Sequence, residues 1–336
     1  MTDATVTTIG TKLSLRDHLG AFRMRIGAGR ERYRVVPGLY NVGTPDRTSP
    51  VFVSANYKMS FDSLRKELSN MNAWILVLNT RGVNVWCAAG KKTFSMDEIV
   101  RMVKGSELEK FVSHRELILP QLSAPGVSAH DVMKKSGFKV SFGPVRAGDI
   151  KRFMDNGKKA DDKMRGVTFS LWERLILTPR EITSRVTVSF YIVSAIFAIS
   201  SLSSDFFSLQ GTLIRGLFGT TAYLIGLFSG AVVTPMLLPW IPVRYFSLKG
   251  AATGLVLGFL FCLFCHEQLG SGAIAAVLLF TASVSSYTAL TFTGSTPFTS
   301  PTGVEKEMRY AIPLQVIAVV LSCGLWMGNN FFGGAI

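Results

Sequence analysis

The sequence predicts an α/β domain built on a parallel sheet, followed by an all-α transmembrane domain of five helices. Three observations carry this reading. Charge is unevenly placed: 31 of the 36 Lys and Arg and 18 of the 22 Asp and Glu lie before Val186, so the first part has a net charge of +13 and the remainder is nearly uncharged. The first part alternates short β-type runs with segments of helical period, the pattern of βαβ units. The second part holds five apolar stretches, at about 186–204, 212–235, 249–266, 272–293 and 311–328. Each is long enough, or nearly so, to cross about 30 Å of hydrocarbon as a helix. A chain of 336 residues has room for about two domains.

Residues 1–50 show little periodicity. The run Arg23, Arg25, Arg30, Arg32, Arg34 reads as a basic N-terminal arm, solvated or drawn to anionic lipid. No aromatic interleaving supports nucleic acid as a partner, and no signal-peptide pattern is present at the N-terminus. Residues 51–150 carry the α/β domain. Val51–Val53 reads as a strand, and 60–70 as a helix capped by Ser60 with Phe61, Leu64 and Leu68 on one face. Ala73–Leu78 is a buried strand, 96–111 a helix broken near Gly105, and Leu117–Leu119 a short strand. Residues 128–136 form a helix ended by Gly137, Lys139–Phe142 a strand, and 149–156 a last helix. Residues 151–185 read as a charged linker followed by an interfacial helix at 169–176, and 186–336 as the transmembrane domain.

Loop charge orients the membrane domain. Arg174, Arg180 and Arg185 precede the first span, Arg244 and Lys249 lie between the second and third, and Lys306 and Arg309 precede the fifth. The loops at 203–211 and 266–272 contain no Lys or Arg. By the positive-inside rule the N-terminal domain is cytoplasmic and the C-terminus outside, in a cytoplasmic (inner) membrane. Arg215, near the start of the second span, is expected to snorkel to the outer interface. Gly254 and Gly258 form a small-xxx-small seam for helix packing.

The four cysteines, Cys87, Cys262, Cys265 and Cys323, make no disulfide framework. With one cysteine, the first part cannot build a four-cysteine iron–sulfur site alone. Cys262-Leu-Phe-Cys265-His266 matches the haem-attachment string, but it lies inside an apolar helix, so plain burial is the expected state. The loop before the fifth span is rich in Ser and Thr, and Thr302-x-x-Glu305 reads as a capping box.

The informative stretch is Asn84-Val85-Trp86-Cys87-Ala88-Ala89-Gly90-Lys91. With Asn84 as N-cap, Cys87 falls in the first turn of a short helix. The partial positive charge there favours the thiolate, the form that ligates metals. Ala88, Ala89 and Gly90 would leave the adjoining surface bare, so that a flat ligand could approach the backbone. Lys91 would neutralise an anionic edge of such a ligand or stand solvated. Gly90-Lys91-Lys92-Thr93 is not a Walker A loop, because Val85 occupies the place of its leading glycine. Taken alone, Cys87 reads as a small core residue.

The eight-residue string resembles, without a break, the cap-helix motif of the HgcA family, the membrane-anchored corrinoid proteins of microbial mercury methylation. Asn56-Tyr57-Lys58-Met59-Ser60-Phe61-Asp62-Ser63-Leu64-Arg65 and the loop at 293–309 also resemble that family. From about Val51 to Phe142 the chain is similar to the large subunit of corrinoid iron–sulfur proteins, without their four-cysteine segment. The resemblance implies a Rossmann-like α/β corrinoid-binding domain with a cap helix, holding a cobalamin-type corrinoid with its cobalt. It implies Cys87 as catalytic residue and lower axial ligand to cobalt. The implied cofactor-binding residues are Asn56, Asn84, Val85, Trp86, Cys87, Ala88, Ala89, Gly90 and Lys91. The implied activity is methyl transfer from a methyl-Co(III) corrinoid to inorganic Hg(II), giving methylmercury. Electrons would come from a ferredoxin-like 4Fe–4S partner (HgcB), and the methyl group from a methylated folate or a folate methyltransferase. The histidine-ligand fingerprint of other cobalamin proteins is missing, since Asp17-His18-Leu19-Gly20 has the wrong spacing. Three other readings stay open: a membrane-tethered corrinoid methyl carrier of one-carbon or acetyl metabolism, a membrane cytochrome, and a scaffold that binds no cobalt.

Overall fold

A computed structural model describes residues 6–29, 32–203 and 208–332. The chain divides into two compact units between Thr168 and Phe169. The first unit runs β1 (Thr7–Ile9), α1 (Leu15–Arg25), β2 (Gly38–Val42), β3 (Val51–Ala55), α2 (Lys58–Glu67), β4 (Ala73–Leu78), α3 (Val85–Gly90), α4 (Met96–Gly105), α5 (Leu108–Phe111), β5 (Glu116–Leu119), a 3-10 turn (Gln121–Gly126), α6 (Ala129–Ser136), β6 (Lys139–Phe142), α7 (Ile150–Asp155) and α8 (Asp162–Arg165).

The six strands form one sheet in the order β1-β2-β4-β3-β5-β6. All pairings are parallel except β2 with β4, which is antiparallel. The expected parallel sheet is corrected at that one pairing. Alternation along β4 shows how the layers form, because successive side chains of a strand point to opposite faces. Trp74, Leu76 and Leu78 pack toward α3, α4 and α6 with Ala88, Ile99 and Val132. Ala73, Ile75 and Val77 pack toward α2, α7 and α8 with Phe61, Phe153 and Met164.

Several boundaries differ from the sequence reading. The first 50 residues are not an arm outside the fold: they supply β1, α1 and β2. Ser14 and Asp17 form a capping box on α1, and Asp17 reaches across to Lys58 (2.7 Å) and Arg65 (2.9 Å) of α2. Arg30 lies outside the described residues. Helix α2 begins two residues before Ser60, with Tyr57 at the N-cap position and no side-chain cap. The helix expected over 96–111 is two, separated at Glu107, whose φ is 49°. The charged segment 151–165 is not a free linker, since Phe153 and Met164 are buried in the second core layer.

The second unit is helical: α9 (Leu171–Leu175), α10 (Thr178–Thr183), α11 (Val186–Ser200), α12 (Leu209–Phe228), a π-helical segment (Ser229–Val233), α13 (Thr234–Leu237), α14 (Phe246–Phe264), α15 (Ser271–Thr291) and α16 (Pro301–Phe332). Four continuous helical stretches among the described residues are long and apolar enough to cross a membrane: Leu209–Leu237, Phe246–Phe264, Ser271–Ser295 and Pro301–Phe332. The first expected span is shorter. Helix α11 has 15 residues, about 22 Å at 1.5 Å per residue, and it meets the α9–α10 segment at a 57° bend. A fifth span exists only if that bent pair is counted as one.

Close packing of α14 on α15 uses the expected seam. A Cβ at Gly254 would lie 2.6 Å from Ser285 Cβ and Thr281 O, and Gly258 abuts Thr281. Arg215 reaches toward the loop that follows α11. It is buried, and its guanidinium donates to Ser200 O (3.1 Å) and Ser203 Oγ (3.0 Å), closing the C-terminal end of α11. The capping box at Thr302 is also corrected. Ser300 Oγ accepts from Gly303 N (3.2 Å), while Glu305 pairs with Arg309 (2.7 Å). Cys262 is buried beside Ala222, Ala273 and Trp326, as plain burial requires. The described residues hold no group of three or more His, Cys, Asp or Glu able to bind a metal ion.

Candidate cofactor site

In an open α/β sheet, ligands sit beyond the carboxyl ends of strands where the connections leave in opposite directions. Here that point lies between β3 and β5. The chain leaves β3 for α2 on one face, and leaves β5 for the 3-10 turn and α6 on the other. A cleft of about 360 Å³ opens there. Tyr57, Met59, Ser60 and Ser63 follow β3, Pro120 and Leu122 follow β5, and Gly143, Pro144 and Val145 follow β6. Asn84, Val85 and Trp86, at the start of α3, complete the wall.

Helix α3 is short and well capped. Asn84 Oδ1 accepts from Cys87 N at 2.9 Å, so Asn84 is the N-cap that the sequence predicts. Cys87 is exposed and is a free thiol. It stands one residue beyond the part of α3 that walls the cleft. Trp86 is 46% exposed. Gly90 and Lys91 are exposed as well. A Cβ on Gly90 would meet nothing within 4 Å. The outer face of α3 is therefore Trp86, Cys87, Gly90 and Lys91, residues three and four apart on a helix surface.

Two of the expected surface residues point the other way. Ala88 and Ala89 are buried, at 0% and 3% exposure. They do not bare the outer surface but seat the helix on the domain. Asn56 is likewise not a cleft residue. It is 2% exposed, and its Oδ1 accepts from Thr80 N (3.1 Å) and Gly82 N (2.9 Å) and lies 2.9 Å from the Thr80 hydroxyl. That hydroxyl is also 2.7 Å from Val83 O. Asn56 thus ties the end of β3 to the Thr80–Val83 loop that feeds α3, and it leaves no acceptor free for a ligand on that oxygen. The backbone of this loop passes through left-handed conformations at Arg81 (φ 58°) and Gly82 (φ 75°).

The residues fit a flat macrocycle carrying a thiol-ligated metal. A soft sulfur donor is exposed, and thiolate suits a soft or borderline metal. The helix face around it carries a side-chain-free position at Gly90, and an apolar cleft with several hydroxyls adjoins it. The stretch Asn56 to Arg65, which supplies the cleft residues at 57–63, is one that the sequence points to; the cleft residues at 120–122 and 143–145 are not. The rule that ligands gather at strand carboxyl ends would have found them once β3, β5 and β6 were paired.

The family-model match lies within this unit. Residues 28–154 match the family described as the CO dehydrogenase/acetyl-CoA synthase delta subunit. The chain is 29% identical over 128 residues to the acetyl-CoA decarbonylase/synthase complex subunit gamma of Archaeoglobus fulgidus, covering 38% of this chain and 27% of that protein. It is 28% identical over 128 residues to the Methanopyrus kandleri subunit gamma, with the same coverage of 38% and 27%. It is 31% identical over 116 residues to subunit gamma 2 of Methanosarcina thermophila, covering 33% and 24%. The chain thus spans about a quarter of the length of these relatives. Residues 28–154, which that family model matches, hold the cleft, α3 and Cys87.

Proposed function

We propose that this protein is a membrane-tethered corrinoid methyl carrier, with the corrinoid lying over α3 at the mouth of the cleft and Cys87 as its axial ligand. The observation that carries this reading is an exposed thiol on a capped helix whose first turn walls the cleft at the strand carboxyl ends. A bound corrinoid would supply a cobalt-carried methyl group; where the acceptor is an electrophile that takes it as a carbanion equivalent, two electrons would be needed to restore the metal for remethylation. In this reading the Cys87 thiolate would ligate the metal, and Asn84 fixes the turn that presents it. The apolar helices anchor the protein in the membrane, with the α/β unit on the cytoplasmic side and five spans if the bent pair crosses.

A narrower reading is favoured by the unbroken match of Asn84–Lys91 to the HgcA cap helix: the methyl acceptor is inorganic Hg(II), the product methylmercury, and the reductant a ferredoxin-like 4Fe–4S partner (HgcB). The methyl source is a methylated folate or its methyltransferase. One pair of measurements separates these levels. Full-length protein and its Cys87→Ala variant are titrated with hydroxocobalamin and followed for cobalt–sulfur charge-transfer absorption. Cells carrying each are then assayed for methylmercury. Absorption and methylation that both vanish in the variant support the narrow reading. Absorption lost without any methylation in the parent leaves the general carrier. Full activity in Cys87→Ala removes the axial-ligand role.

A further inference from the structure

We infer that Gly126 is a positioning residue that sets the depth at which α3 seats, and through it the place where Cys87 is presented. The inference deepens the proposed role of Cys87 and rests on it for its chemical consequence. Gly126 ends the 3-10 turn Gln121–Gly126. Its backbone is not in the left-handed region, so conformational freedom does not explain a glycine there. Space does. A Cβ at this position would lie 2.8 Å from Ala89 Cα, 2.9 Å from Ala89 O and 2.7 Å from Phe94 O. These are backbone atoms, which cannot swing aside as a flexible side chain can.

The partners show what would move. Ala89 is on the inner face of α3, and Phe94 closes the turn that follows it, fully buried. Ala88 O accepts from Thr93 N (2.9 Å) and Phe94 N (3.1 Å), locking that turn to the helix. A side chain at 126 therefore pushes on α3 and its C-terminal turn as one body. The same turn reaches the cleft at its other end, where Pro120 and Leu122 line it opposite Asn84 and Trp86. One segment thus bounds the cofactor cleft and fixes the height of the helix that carries the thiol.

The test uses full-length protein in detergent, comparing wild type, Gly126→Ala, Pro125→Gly and Gly105→Ala. Pro125 is exposed, so its replacement loosens the turn without opening the core. A Cβ at Gly105 meets nothing within 4 Å, which makes Gly105→Ala the control. The first readout is amide hydrogen exchange at residues 88 and 91–94 without any corrinoid. Overpacking against backbone should speed exchange there by about tenfold or more in Gly126→Ala. Pro125→Gly should move it in the same direction but less, and amides of β3 and β4 should not change. The second readout is alkylation of Cys87 by iodoacetamide with and without hydroxocobalamin. The corrinoid should protect Cys87 in wild type and Gly105→Ala, and protect it much less in Gly126→Ala. Unchanged exchange in both turn variants overturns the inference, as does wild-type protection in Gly126→Ala. Should Gly126→Ala fail to fold, unchanged exchange in Pro125→Gly overturns it. Faster exchange combined with no protection in wild type upholds the seat and rejects Cys87 as ligand.

Discussion

Replacing Gly90 by Ala separates stability from cofactor binding, because the two should change in opposite directions. Gly90 is the last residue of α3, exposed, and not in the left-handed region. A Cβ there meets no atom within 4 Å. Nothing inside the chain therefore requires a glycine, and the substitution should stabilise the helix by up to about 0.5–1 kcal/mol through lower backbone entropy in the unfolded state. A flat ring resting on the outer face of α3 would meet the added methyl directly. Overpacking of that kind costs about 1–3 kcal/mol, equivalent to about 5- to 150-fold in dissociation constant. The assay is thermal unfolding of the cofactor-free protein beside a hydroxocobalamin titration followed by quenching of tryptophan fluorescence. A higher midpoint with weaker binding is the expected pair. Wild-type affinity in Gly90→Ala would refute the placement of a ring over this face. A lower midpoint would refute the claim that the glycine is free of internal packing.

Other perturbations follow from the same geometry. Asn56→Ala leaves the Gly82 amide without its acceptor, while Thr80 N keeps Leu78 O and the Thr80 hydroxyl keeps Val83 O. The expected loss is about 1–3 kcal/mol for one buried orphaned donor, read by denaturant unfolding of the first unit, and Asn56→Asp should recover part of it. Cys87→Ala should leave that stability unchanged within about 0.5 kcal/mol, as for an exposed side chain, while abolishing cobalt–sulfur absorption. Acid should loosen the junction of α1 and α2. Burial alone would raise the Asp17 carboxyl, but hydrogen bonds from Lys58 and Ser14 and the charge on Lys58 hold it well below the usual range. A depressed carboxyl stabilises the fold fully above its unfolded-state value of about 3.9, and that stabilisation is lost as pH falls through the lower folded value. Asp17→Asn should therefore lower stability at neutral pH, and the difference from wild type should shrink in strong acid.

The sequence by itself determined those features that local chemistry settles. Asn84 caps α3 because an Asn side chain before a helical turn satisfies an amide that has no partner within the helix. Gly137 ends α6 at φ 74°, a conformation that glycine adopts without cost. The apolar runs at 51–53 and 73–78 lie in central strands, where both faces are buried. The apolar helices were legible because their apolar runs are long and nearly uncharged. Tertiary structure decided the remainder. β1 (Thr7–Ile9) and β2 (Gly38–Val42) mix apolar residues with Thr, Gly, Tyr and Asn instead of forming the apolar runs of β3, β4 and β5, and they are strands because neighbouring strands supply their hydrogen bonds. Helix α2 starts before Ser60 because Lys58 is held by Asp17 and Asp62, one of them 41 residues away in sequence. Arg215 is buried because the end of α11 offers it a carbonyl and a hydroxyl. The facing of α3 was beyond the sequence for the same reason. Asn84-Val85-Trp86-Cys87-Ala88-Ala89-Gly90-Lys91 specifies a short capped helix, but a helix has no preferred outer side until something packs against it. Gly126, 37 positions after Ala89 in the sequence, lies against the Ala89 backbone, and the burial of Ala88 and Ala89 leaves Cys87 and Gly90 facing outward.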